Sequence, residues 1–191
     1  MQQAFRDGFE KDSMLIWSAV FASALWIANA IFNIMADDFR AFLINILYVL
    51  CLVILCSAEF KDEENVVQGM MGALLMVCVI GNVNVLTEML DADIPSRSLW
   101  QIVISLIFIT ALFINHFLLA NSRYRNAVMV YINQLLVMAL LLLRCYQIAI
   151  NIINGGFSSI VIEVTIGLIA IIPTLNVIVC IECREGGYVR D

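Results

Sequence analysis

The chain has 191 residues, 63% of them apolar, with a mean hydropathy of +0.97 and a formal net charge of −6. Soluble domains are about half apolar, so this excess excludes an ordinary water-soluble core and points to membrane spans. No basic stripe is present to neutralise phosphates, which excludes nucleic acid as a partner.

The chain opens on a polar, net acidic lead at residues 1–13, followed by a first apolar span at 14–34. Ala28, Asn29 and Ala30 resemble a cleavage site, but the acidic lead and the length of the run do not fit a signal peptide. A tight connection around Asp37 and Asp38 leads to a second span at 41–58. An acidic loop at 59–65 precedes the third span, 66–90, and a loop containing Pro95 separates it from the fourth, 99–120. A basic turn at 121–126 leads to the fifth span, 127–150; a turn at Asn154, Gly155 and Gly156 leads to the sixth, 157–181, and a polar tail. The expected architecture is all-α: a polytopic integral membrane protein, with residues 1–191 forming one bundle of six transmembrane helices.

Six spans place both termini on one side. Arg6, Lys11, Lys61, Arg123, Arg125, Arg184 and Arg190 fall on that side, against Arg40 and Arg97 on the other. Basic loops stay inside, so both termini are expected in the cytoplasm and the protein in the cell's inner or plasma membrane. A weak internal echo links Phe39-Arg40 to Tyr124-Arg125, and Asn82 to Val85 with Leu175 to Ile178. Two three-span halves would be inverted relative to each other, a 3+3 pattern found in carriers.

Polar side chains inside the spans carry the functional reading. Arg144 lies about ten residues before the last turn and Glu163 about seven after it, so a ~1.5 Å rise sets both at similar depth on consecutive antiparallel helices. They are expected to pair, because a charge at mid-span costs roughly 2.5–3.5 kcal/mol. Asn29, Asn33, Asn45, Asn82, Asn84, Gln101, Ser105, Gln147 and Thr165 fall in the same, outer half. Convergence of these groups would enclose a polar cavity, since each facing lipid would go unsatisfied. The expected ligand site is Arg144, Glu163, Asn29, Asn33, Asn82, Asn84 and Gln147. Arg144 would hold an anionic or carboxylate group, Glu163 would act as counter-charge or protonatable group, and the amides would orient the ligand. The competing reading is a structural network that fixes packing, at about 0.6 kcal/mol per interhelical hydrogen bond.

Other features are read as structural. His116, the single histidine, is expected near the cytoplasmic headgroups. Pro173 is expected to bend the sixth span and free a carbonyl for Thr174 or a neighbour. Ser18, Ala22, Asn29 and Asn33 share a helix face, and Gly69 and Gly72 open the third span; both patterns suit close helix contacts. Trp17 and Trp100 read as interfacial anchors and Trp26 as packed. Cys180 and Cys183 form a lone C-x-x-C, too little for a metal site. Hydrolase, zincin, nucleotide and dinucleotide motifs are absent, so neither an enzyme nor a cofactor is expected.

The leading expectation is a small-molecule membrane carrier or substrate-binding membrane subunit. Its partners are the lipid bilayer, a small anionic or zwitterionic ligand, and a homo-oligomer or partner subunit. The alternatives are a non-transporting receptor, immunity or assembly component, or an oligomeric pore lined by the small-residue face of the first span.

Overall fold

A computed structural model of the chain describes residues 2–61, 63–91, 96–120, 127–154 and 159–185, with side chains described over 13–61, 63–88, 90, 100–118, 131–150, 153 and 166–181. Every regular element among them is an α-helix: α1 Gln2–Met35, α2 Phe39–Phe60, α3 Glu64–Asp91, α4 Ser96–Ala120, α5 Ala127–Asn154 and α6 Ser159–Glu185. The Pro95 loop, the basic turn, the Gly155-Gly156 turn and the tail after Glu185 lie outside the described residues. Five helices are long and apolar enough to cross a membrane, over Ser13–Met35, Phe39–Phe60, Glu64–Glu88, Trp100–Leu118 and Tyr131–Ile150. The described part of α6, Ile166–Ile181, is a shorter apolar segment.

The polar lead continues the helix of the first span, since α1 begins at Gln2 and runs for 34 residues, and its apolar part, Ser13–Met35, agrees with the expected 14–34. At ~1.5 Å per residue it reaches about 51 Å, beyond the ~30 Å hydrocarbon core. No proline interrupts the lead, and its single Gly8 costs only about 1 kcal/mol in a helix.

Each helix packs on its chain neighbours, and α1 packs on α6, so the helices follow one another round a closed ring. Neighbours run antiparallel. Trp26 stacks on Tyr48 of α2, and Asn29, further along α1, meets Asn45, earlier on α2. Across the closure, Asn176 donates to Ser18 and Trp26 donates to Thr174.

The α1–α2 turn shows how local chemistry sets the ring's geometry. Asp37 has φ 58, and its amide bonds to the carbonyl of Ile34 while the amide of Asp38 bonds to that of Asn33. This is the Schellman pattern, in which a left-handed residue satisfies the last carbonyls of a helix. Asp38 then accepts from the amide of Ala41 at 3.0 Å, capping α2. One residue thus closes a helix and the next opens another, leaving Asn33 and Ala41 on either side of the turn.

The buried stripes have heptad-like spacing. On α5 the stripe is Asn133, Val137, Leu140, Arg144 and Gln147, while Tyr131, Leu135, Met138 and Leu142 cover the outer face. On α1 it is Leu15, Ala22, Trp26, Asn29 and Asn33. A polar stripe inside and an apolar surface outside is the arrangement that lipid favours. Trp17 and Trp100 are exposed and Trp26 is buried, as expected. Gly72 is a close contact, since a Cβ there would stand 3.4 Å from Phe117. Gly69 makes no such contact within the chain, since nothing among the described residues lies within 4 Å of a Cβ placed there.

Candidate functional site

In the half of the ring beside the α1–α2 turn, a cavity of about 80 Å³ is lined by residues from all six helices. Asn29 and Asn33 come from α1, Asn82 and Asn84 from α3, and Arg144 from α5. Ile102 of α4 and Gly167, Leu168 and Ile171 of α6 complete the wall. Gln147 lies one turn beyond Arg144 and bonds to it from outside the lining. Of the expected site residues, six therefore gather here (Asn29, Asn33, Asn82, Asn84, Arg144 and Gln147). The seventh, Glu163, sits on α6, but its side chain lies outside the described residues. So does that of Thr165.

Arg144 occupies a position in the buried stripe where a leucine would normally pack, and it is only 1% exposed. Its Nη1 donates to Gln147 Oε1 at 2.8 Å and its Nη2 to Asn82 Oδ1 at 2.6 Å. The first bond joins i and i+3 on one helix face; the second crosses to α3. Asn82 is aimed by its own amide, which donates to the Cys78 carbonyl at 2.8 Å. That tether turns Oδ1 outward, where it also accepts from Ser105 of α4 at 3.2 Å. One asparagine thus ties α3, α4 and α5 together. The acceptors are neutral amides. The Arg144 Nε and the Gln147 Nε2 have no partner among the described residues. Unmet buried donors of this kind are rare, and each costs about 1–3 kcal/mol.

The opposite wall is aromatic. Trp26 and Tyr48 stack with ring centroids 3.9 Å apart and planes within 2°. The Trp26 indole donates to Thr174 Oγ1 at 2.9 Å, and Thr174 itself donates back to the Ala170 carbonyl at 2.8 Å. Pro173, inside α6, removes the helical bond to the carbonyl of Ile169; Thr174 bonds instead to the carbonyl of its own i−4 residue, Ala170, so it does not take up the carbonyl that the proline frees. The floor between α2 and α3 is tight, since a Cβ on Gly81 would stand 3.0 Å from the Tyr48 hydroxyl. At the rim Asn84 donates to the carboxylate of Glu88, whose side chain is exposed.

Asn29 meets Asn45 at 3.4 Å, a long hydrogen bond across α1 and α2. Tyr48 and Glu88 were not among the residues singled out from the sequence. Tyr48 follows Asn45 by three positions and Glu88 follows Asn84 by four, so helical spacing puts each on the same face as an expected site residue.

The other half of the ring holds separate polar clasps. Asn115 donates to Asn133 at 3.0 Å, joining α4 to α5. His116, two residues before the end of the α4 span at Leu118, is buried between helices, and its Nε2 stands 3.0 Å from the Gln68 carbonyl of α3. A backbone acceptor within reach lets the imidazole pack inside the bundle. The small-residue face of α1 is also spent within the chain. Ala22, Asn29 and Asn33 are buried and Ser18 accepts from Asn176, so that face is not turned toward a symmetry axis.

The fold and the site together define a helical bundle of membrane-spanning character with a partly open pocket between its helices, whose largely apolar wall carries Arg144 and several amide side chains. No protein-family model, curated protein or solved structure matches the chain.

Proposed function

We propose that the chain is a small-molecule carrier, or the substrate-binding subunit of one, whose pocket takes a small anionic or zwitterionic ligand. The observation that carries this reading is Arg144: a fully buried cation on a cavity wall, held by neutral amides and with Nε unmet among the described residues. A buried charge calls for a counter-charge. In this reading a ligand supplies it, and Glu163 on α6 is the residue that tunes or couples the site. Six spans, arranged as two inverted three-helix halves, surround the pocket as a single domain. Both termini face the cytoplasm across the inner or plasma membrane, and the pocket opens outward. Its activity is binding and passage rather than bond-making.

The test is thermal stability of purified wild type and Arg144→Ala against small anions, amino acids and vitamins. A native-state ligand raises stability by mass action. A ligand that stabilises wild type and leaves Arg144→Ala unmoved is the expected result. The second reading, a receptor or assembly component with a purely structural network, draws on Asn82, which links three helices through Arg144 and Ser105. It predicts a strongly destabilised Arg144→Ala and no shift with any ligand.

A further inference from the structure

We infer that the pocket is reached from the two membrane faces in turn, because the half of the ring away from it is built as its closed counterpart. The inference rests on the carrier reading above and adds how the site changes sides.

Four hydrogen bonds carry it, two in each half. Asn29 donates to Asn45 across α1 and α2, and Asn115 donates to Asn133 across α4 and α5. Asn29 stands six residues before the end of α1 and Asn45 six after the start of α2. Asn115 stands five before the end of α4 and Asn133 six after the start of α5. The other two bonds join an asparagine to a serine. Asn82 accepts from Ser105 across α3 and α4, and Asn176 donates to Ser18 across α6 and α1. Asn82 and Asn176 each lie nine residues before the end of their helix. Ser105 and Ser18 each lie five residues into an apolar span, Trp100–Leu118 and Ser13–Met35. Replacing α1, α2 and α3 by α4, α5 and α6 therefore turns one pair of bonds into the other. Each copy has three helices, so the second runs opposite to the first.

The two pairs differ in tightness. Asn29, Asn45 and Asn82 line the cavity, and their bonds are 3.4 and 3.2 Å long. The counterparts measure 3.0 and 2.7 Å. Between the pairs lie Leu52, Leu75, Leu112, Leu140 and Leu175, one from each of α2 to α6 and all buried. Leu52 follows Asn45 by seven residues, as Leu140 follows Asn133, so this layer too is shared by the copies. Arg144 is four residues past Leu140, about 6 Å at ~1.5 Å per residue. A ring whose halves make matching contacts has a second arrangement, of similar free energy, with its loose and tight ends exchanged. In that arrangement the α1–α2 and α3–α4 bonds tighten and the α4–α5 and α6–α1 bonds lengthen. Arg144 is then approached from the far face, through the leucine layer.

The experiment reads labelling rates of single cysteines, in a background lacking the native ones, by a polar thiol reagent. The purified chain is held in nanodiscs of phosphatidylethanolamine and phosphatidylglycerol, where both faces meet the reagent. Val85→Cys reports the cavity, which Val85 lines, and Val137→Cys reports the far end, where Val137 is buried between Asn133 and Leu140. Asn115→Ala removes a bond that holds the present arrangement, and Asn29→Ala one that holds the exchanged arrangement. Losing one interhelical hydrogen bond shifts a two-state population about threefold. Asn115→Ala is expected to raise labelling of Val137→Cys about threefold and to lower that of Val85→Cys. Asn29→Ala, at the opposite end of the bundle, is expected to lower labelling of Val137→Cys. Should one of the two fail to fold, the other decides. Faster labelling at a substitution's own end, with the far end unmoved, is local loosening and overturns the inference; so does no change at Val137→Cys. The labelling needs no ligand, so the two readings fail separately. A ligand that stabilises the wild type without exchange of labelling leaves a binding subunit with one fixed mouth. Exchange in a chain that no ligand stabilises keeps this inference and overturns the binding reading.

Discussion

At the scale of single residues, Arg144 is costly to bury and well supported. Its side chain replaces a core leucine in the α5 stripe, and Asn82 and Gln147 share its guanidinium. Removing it takes the arginine donor from Gln147 Oε1, at about 1–3 kcal/mol for a buried group left unmet, while Asn82 Oδ1 still accepts from Ser105. Glu88 acts in the opposite direction from the rim. Glu88 lies six residues beyond Asn82 on α3, about 9 Å along the axis at ~1.5 Å per residue, and at that separation a like charge opposes an anion bound beside Asn82 by roughly 0.5–2 kcal/mol. Glu88 is exposed, so screening puts the effect near the lower figure. Glu88→Gln is therefore expected to tighten binding of an anionic ligand about two- to threefold at low salt, with the gain fading as salt is raised. Calorimetric titration at two ionic strengths checks it, and looser binding would remove Glu88 from the pocket's electrostatics. Much of this was readable in advance. Intramembrane Asn, Gln and Arg announce themselves by their cost, and depth alone grouped Asn29, Asn33, Asn82, Asn84 and Arg144. Tyr48 was missed because an aromatic in an apolar run resembles packing until its neighbours are known.

Among the helices, the tolerance of a contact depends on what stands opposite. Gly81 faces the Tyr48 hydroxyl at 3.0 Å, and Tyr48 is fully buried and stacked on Trp26. Gly72 faces Phe117 at 3.4 Å, and Phe117 is exposed, its ring edge-on to Phe113 and His116 and not buried between helices. Alanine gains about 1 kcal/mol of helix propensity at either place. Overpacking costs about 1–3 kcal/mol where the neighbour cannot yield. Gly81→Ala should lower stability by about 1 kcal/mol net, whereas Gly72→Ala should leave it unchanged or raise it slightly. Thermal melts of the two variants side by side provide the check, and equal behaviour would contradict the difference in rigidity. Sequence spacing proposed Gly69 and Gly72 as contacts and passed over Gly81. The small-residue pattern marks where a helix is narrow but not which neighbour approaches. The first span was read within a residue of its apolar limits, Ser13–Met35, while the helix itself begins at Gln2, because hydropathy reports where lipid begins and a polar helix can continue past that point.

For the molecule as a whole, the order of the ring follows from the chain's short connections, except at the meeting of α1 with α6. Nothing in the spacing of the spans specified that closure. It depends on matched side chains such as Trp26 with Thr174 and Ser18 with Asn176. The proposed topology sets Asp37 and Lys61 on opposite membrane faces, and both are exposed. Single cysteines there, in a background lacking the native ones, should be labelled from opposite sides by a thiol reagent that cannot cross the membrane. Asp37→Cys is expected to react from outside and Lys61→Cys only after permeabilisation. Labelling of both from one face would overturn the six-span arrangement.

The closure of α1 by α6 has a consequence for biosynthesis. The ribosome releases α6 after the other five helices, yet α6 carries the acceptor for Trp26 and the donor for Ser18. During that interval the first helix presents an indole N–H and a hydroxyl along an open seam. Polar groups facing lipid are poorly tolerated. Arrival of α6 hides them, so the side chains that complete the pocket's aromatic wall also close the seam at which the first helix would otherwise meet lipid.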